Sequence, residues 1–196
     1  MQQMNPVAID NDFLNHLLGI KNHTDLEHLI KRFFVALQVR VSMHRMVYDH
    51  EAIVLKNSLR DSLIADSTIS IVELDSIWNG ISSKKKYYEI IVKEIYKDFT
   101  GIEYPCNNFF NDWKAQSSLG EVHTVVMCAL LTWDCFLSDD KQAASKLQVI
   151  ASRKLNWPVN IYSRANCCAY LKDLSLEERQ GLNSNDLKKL SHTSSH

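Results

Sequence analysis

The sequence predicts an all-α fold, a single compact bundle of about seven or eight helices with an irregular, aromatic-rich segment near residues 102–116. Three observations carry this. Only five glycines and three prolines interrupt 196 residues, too few to punctuate many short strands. Apolar residues recur at helical spacing, as in Leu26, Leu29, Ile30, Phe33, Phe34 and Leu37. Capping boxes of the form Ser/Thr-x-x-Glu begin at Thr24, Ser70 and Ser175, each able to satisfy orphan amides at a helix start.

In chain order, the first helix runs from about Asp12 to Leu18, with Phe13, Leu14 and Leu17 on one face, and Gly19 stops it. The second starts at the Thr24 box. Its apolar period continues to about Ala65 without Gly or Pro, longer than one globular helix, so a break is expected between Val41 and Asp49. Asp49 then caps a third helix carrying Ile53, Val54, Leu55, Leu59, Leu63 and Ile64. The Ser70 box opens a short helix ending at Asn79-Gly80, and Ser82 or Ser83 starts a longer one ending at Thr100-Gly101. From Glu121 to Trp133 the chain is apolar on most sides, as a central buried helix is. A last long helix spans Asp139 to about Leu155 and closes at Trp157-Pro158. The expected organisation is one domain over 1–182, with N-terminal helices in 1–48, a core in 50–157 and an arm in 158–182. A loose polar tail, 183–196, follows.

Bulk properties exclude several classes. A net charge of −1 gives no field that would gather nucleic acid or an anionic membrane, and the run Lys84-Lys85-Lys86 reads as a solvated helix start. Five cysteines without a CxxC pair fit neither a disulfide framework nor a zinc site. The first residues lack the basic-then-apolar pattern of a secretory leader, and no apolar run reaches membrane-spanning length. A cytoplasmic protein without direct membrane insertion is expected.

One frame occurs twice. Leu63-Ile64-Ala65-Asp66 is followed two residues on by Ile69-Ser70 and then Glu73; 68 residues later Leu131-Thr132-Trp133-Asp134 is followed by Leu137-Ser138 and then Asp139-Asp140-Lys141. Read as two helix–loop–helix corners, the pair resembles the TerB-like (tellurite-resistance B-like) helical domain over about residues 50–157. That resemblance implies an all-α bundle whose acidic corners associate with divalent cations, here through Asp66, Glu73, Asp134 and Asp140. Ser67 and Cys135 stand where the motif has glycine, and Lys141 where it has its second Glu. No other cofactor is expected.

Other chemical candidates are thinner. Arg45 and His50 have the Arg-x4-His spacing of the HEPN ribonucleases, in which both side chains share one face of a helix end. Asp25, His28, His44 and His50 offer imidazole and carboxylate, but Glu121-Val122-His123 lacks the Glu-x-x-His spacing of a di-iron bundle. Cys128 and Cys135 read as small hydrophobes. Phe109, Phe110, Trp113 and Trp157 fall in irregular segments, where exposed aromatics mark a protein-binding surface. The expectation is a non-enzymatic helical adaptor, a subunit or chaperone of a bacterial secretion, defence or stress complex. It binds a protein partner rather than nucleic acid. A cation-binding TerB-like module and an HEPN-type ribonuclease are the alternatives.

Overall fold

Five short parallel strands form the centre of the molecule, so the all-α expectation is corrected to α/β. The computed structural model describes residues 4–21, 24–52, 57–105, 109 and 118–192. The strands are β1 (Asn5–Ile9), β2 (Val39–His44), β3 (Ile69–Val72), β4 (Cys135–Leu137) and β5 (Asn160–Tyr162). Their order is β3-β2-β1-β4-β5. Val7 pairs with Val41 and Ile9 with Met43, while Ile9 pairs with Leu137 on its other side. This is a doubly wound arrangement, in which the chain runs outward from β1 to one edge and then returns to build the other half from β4.

Helices cover both faces. On one side α1 (Asn11–Leu18), α2 (Leu26–Ala36), α4 (Ser58–Ala65), α9 (Arg164–Lys172) and α10 (Ser184–Ser191) pack over Val7, Ile9, Val41, Met43, Ile69 and Leu137. On the other, α5 (Leu74–Trp78), α6 (Ser82–Thr100), α7 (Leu119–Leu130) and α8 (Gln148–Leu155) pack over Ala8, Phe136 and Ile161. Successive strand residues thus feed opposite cores, as the period of two demands. A short α3 (Arg45–Val47) runs into a π-helical turn, Tyr48–Ala52, after β2.

The long apolar run after Thr24 does break, but earlier than the expected Val41–Asp49 interval: α2 ends at Ala36, and β2 follows. Gln38 turns the chain with φ +56° and Val39–His44 then crosses the sheet. The two frames read as helix–loop–helix corners each contain a strand: Ile69 opens β3, and Leu137 closes β4. They are not equivalent, because Ser70 lies inside β3 while Ser138 follows β4. The segment expected to be a loose tail forms α10 up to Ser191, with Leu187 and Leu190 buried against α9 and the sheet. Several helices match the sequence reading closely. α6 ends on Gly101, whose φ of +80° a residue with a Cβ rarely adopts. The cap of α2 is Asp25 rather than Thr24, its carboxylate accepting from His28 N–H at 3.0 Å. Among the described residues no helix is long and apolar enough to cross a membrane.

Candidate functional site

In a doubly wound sheet the crevice lies outside the carboxyl ends of the strands, where adjacent strands send their connections to opposite faces. Here that point falls between β1 and β4. The residues that leave those strands are Asp10-Asn11-Asp12 and Ser138-Asp139-Asp140. The α7 helix brings Glu121, in its first turn, to the same place.

Asp10 is 3% exposed. Its Oδ1 caps α1 by accepting from Phe13 N–H at 2.6 Å. Its Oδ2 is buried with no hydrogen-bond partner, and so is Oδ1 of the adjacent Asn11. Burial pushes the Asp10 carboxyl well above the usual range, and the charges of Glu121 and Asp12 push it further. The Ser138 side chain and the Phe13 N–H partly offset this. Glu121 is raised to about 7, first by burial and then by Asp140 and Asp12. Glu121 is therefore within electrostatic reach of Asp10, Asp12 and Asp140 at the switch point. A buried oxygen without a partner costs about 1–3 kcal/mol, and such groups call for an ion, a water or a catalytic role.

Asp140 also holds its own turn. Its Oδ1 accepts from Gln142 N–H at 2.6 Å and Ala143 N–H at 3.1 Å, while its N–H donates to Ser138 Oγ at 3.1 Å. Asp139 faces elsewhere. Both its oxygens are engaged, Oδ1 by Arg164 N–H at 2.9 Å and Oδ2 by Arg164 Nε and by His16 Nδ1 at 2.9 Å. At the start of α7, a Cβ on Gly120 would stand 2.7 Å from Glu51 Oε1. Only glycine there lets the Glu51 carboxylate lie against the helix start, where the macrodipole favours negative charge.

The carboxylates proposed from the repeated frame do not converge. Asp66 and Asp134 lie at the amino edge of the sheet, ahead of β3 and β4, while Glu73 and Asp140 lie at the carboxyl edge. Asp66 pairs with Lys31, which holds its carboxyl down at about 2. Glu73 receives the Arg45 guanidinium, with Nε to Oε2 at 3.0 Å. Only Asp140 belongs to the acidic cluster. Arg45 is committed to Glu73 and Asp49, while His50 sits in the π-helical turn and its charge bears on His123. Phe109 stacks on Tyr104 at 5.0 Å, and Trp157 donates from Nε1 to the Trp133 carbonyl at 3.0 Å. Both are half-buried against the core rather than displayed. Phe110, Trp113 and Cys106 lie outside the described residues. Burial raises the thiols of Cys135 and Cys167 to about 12 and that of Cys168 to about 11.

A second polar cluster lies under α6 and α7. Met46 N–H donates to His44 Nδ1 at 3.0 Å, which assigns the His44 proton to Nε2. That proton goes to the Tyr88 hydroxyl at 2.8 Å, and Tyr88 donates to His123 Nδ1 at 2.5 Å. His123 Nε2–H donates to Tyr104 at 2.8 Å, and Tyr104 reaches the Phe109 carbonyl at 3.5 Å. The direction of every bond follows from the backbone donor at one end and the backbone acceptor at the other. Burial holds His44 neutral, its pKa lowered to about 3, and lowers His123 as well.

Comparison with family models, curated proteins and solved structures returns no match.

Sequence reading missed Asp10, Asp12 and Glu121. The available signal was a pair of short apolar runs, Val7-Ala8-Ile9 and Cys135-Phe136-Leu137, each followed at once by acidic residues. Only a parallel sheet makes such runs neighbours.

Proposed function

We propose that the protein is a divalent-cation-dependent phosphodiester hydrolase, in which Asp10 and the neighbouring Glu121 would hold the cation and water and substrate phosphate would complete its shell. One observation carries the reading: the buried, unpartnered Asp10 oxygen, facing further carboxylates at the switch point of the sheet. Hard oxygen donors select Mg²⁺ or Mn²⁺. Among the described residues no three groups close into a ready-made cage. Mg²⁺ suits an open site of this kind, since it keeps several waters and binds through one or two carboxylates plus substrate phosphate. The cation would polarise a phosphoryl oxygen and lower the pKa of bound water. Water would then attack phosphorus as the P–O bond to the leaving oxygen broke, the proton released by the water passing to that oxygen. Asp12 is exposed beside Asp10 and would meet substrate at the rim. With a net charge of −1 the chain has no basic field to attract a polyanion, so the bound cation supplies the affinity for phosphate.

The test is a Mn²⁺ titration followed by electron paramagnetic resonance. Hydrolysis of bis-p-nitrophenyl phosphate and of single-stranded oligonucleotides is assayed with and without chelator. Saturable binding that Asp10→Asn abolishes, with chelator-sensitive cleavage, is expected. Absence of Mn²⁺ binding at millimolar concentration sinks the reading.

A second reading keeps the protein-binding role expected from the sequence, at a different place. A groove of about 310 Å³ is lined by Leu37, Val39, Cys135, Leu137, Tyr162 and Tyr170 among others, and both tyrosines are exposed. Capture of one stoichiometric partner that Tyr170→Glu abolishes would support it; retention of that partner by the variant counts against this groove.

A further inference from the structure

We infer that the groove beside α9 is filled by α9 of a second copy of this chain, in a two-fold-symmetric dimer. The inference rests on the second reading above, in which that groove binds protein, and names the partner. The groove and the outer face of α9 are one surface, since Asn166 and Tyr170 belong to both. Arg164, Cys167, Cys168 and Leu171 are buried, which leaves Ala165, Asn166, Ala169 and Tyr170 exposed along one stripe of the helix. None of these four is charged, and among the described residues no charged side chain lines the groove. By contrast α6 exposes Lys84, Lys86, Lys93, Glu94 and Lys97, as a solvated helix face does.

The missing charge is what points to a second copy. At a two-fold axis each residue meets its own image, so a charge near the axis faces a like charge, whereas a foreign partner could supply the opposite one. An isologous patch must also be complementary to itself, carrying both a projection and the socket that receives it. Here Tyr170, 56% exposed, is the projection, and the apolar groove of about 310 Å³ beside it is the socket. Two copies of α9 laid antiparallel bring Ala165 and Ala169 face to face, where methyl groups let the helix axes approach closely. Each Tyr170 then enters the groove of the other copy against Leu37, Val39 and Tyr162. Asn166 Oδ1 already accepts from the Ser163 N–H at 3.0 Å and from the Ser163 hydroxyl at 2.7 Å, so its amide N–H groups are left to donate to the incoming phenol. Strand addition on this side is blocked, because Ile161 N–H on the edge strand β5 donates to Gln148 Oε1 at 2.9 Å. A net charge of −1 sets up little repulsion between copies.

The experiment is sedimentation velocity of the full chain across the micromolar range. The wild type is expected to pass from a 22.6 kDa monomer to twice that mass as concentration rises. Tyr170→Glu would bury a charge in the apolar groove, and Ala169→Glu would set a charge against its own image. Each is expected to weaken association by about thirtyfold or more. Val149→Glu, at a 64% exposed position of α8 on the other face of the sheet, should leave association unchanged. Ala169→Cys places two thiols across the axis, and diamide should link the chains through them in a yield that the wild type with its native thiols does not reach. A dimer that survives both Glu variants uses another surface and overturns the inference. A wild type that stays monomeric throughout overturns the second copy. If that monomer retains a different protein through Tyr170, the groove reading stands without this inference; if it retains none, both fall.

Discussion

The α7 helix carries two buried polar clusters, two residues apart in sequence and opposite in character. His123 enters a chain of hydrogen bonds in which each buried nitrogen and hydroxyl from Met46 to Phe109 has a partner and an assigned direction. Glu121 enters a group of carboxylates that repel one another around an oxygen with no partner. His44, Tyr88, His123 and Asp10 are buried, whereas Glu121 and Asp140 are half-buried and Asp12 is exposed; the sharper difference is in satisfaction. A satisfied buried network fixes one packing, so the His–Tyr chain reads as the element that holds β2, α6, α7 and the 104–109 stretch in register. An unsatisfied one is expensive unless something completes it. The contrast separates a structural cluster from a functional one better than conspicuous residue type does, since two histidines and two tyrosines look more catalytic than three Asp and a Glu.

The largest expected effect comes from Asp10→Asn. Asparagine caps α1 as well as aspartate does, so the helix start is kept while the charge is lost. Mn²⁺ affinity should fall about 100-fold, ~2.7 kcal/mol, while the melting temperature in chelator rises because the carboxylate repulsion is relieved. A variant that loses both affinity and chelator-state stability would argue that Asp10 is simply structural. Tyr88→Phe should act the other way. It removes the hydroxyl that His44 Nε2–H and His123 Nδ1 share, costing about 2–6 kcal/mol at ~1–3 for each group, with Mn²⁺ affinity in the folded fraction unchanged. Denaturant unfolding measures the first and the titration the second.

The pH dependence sharpens the comparison, because the two clusters have opposite signs over one window. His44 is neutral when folded down to about pH 3, whereas unfolded it protonates near 6.5. Its contribution is therefore present above 6.5 and is lost as pH falls from there toward 3. Glu121 holds its proton when folded up to about pH 7 but unfolded releases it near 4.5. In chelator its effect therefore lowers stability as pH rises from 4.5 to 7, by about 3 kcal/mol at 1.36 per unit. Excess Mg²⁺ should remove the second slope and leave the first. The gap in melting temperature between Mg²⁺ and chelator should accordingly widen from pH 4.5 to 7. A gap that is flat with pH would detach Glu121 from the cation. Asp66→Asn gives the smallest effect: its pair with Lys31 is solvent-exposed, so the melting temperature should move by less than about 2 °C and Mn²⁺ binding should not change.

The sequence by itself determined where most helices lie. The apolar stripe of α2, the αL stop of α6 at Gly101 and the unbroken apolar stretch of α7 are local features, set by side-chain period and by capping chemistry within one or two turns. Even the box at Ser175 forms its two hydrogen bonds, Ser175 N–H to Glu178 Oε2 at 2.9 Å and Glu178 N–H to Ser175 Oγ at 3.2 Å, though the segment only turns. The strands were not legible. β4 and β5 have three residues each, and buried parallel strands read as plain apolar runs because both faces are covered, so Val39–His44 passes for a helix continuing. What tertiary structure alone decided is the site. Asp10 stands more than a hundred positions before Glu121 and Asp140, and the three share nothing in local pattern. They meet because pairing Ile9 with Leu137 puts β1 beside β4, and strand pairing of that range is set by the packing of the whole sheet rather than by any segment of it.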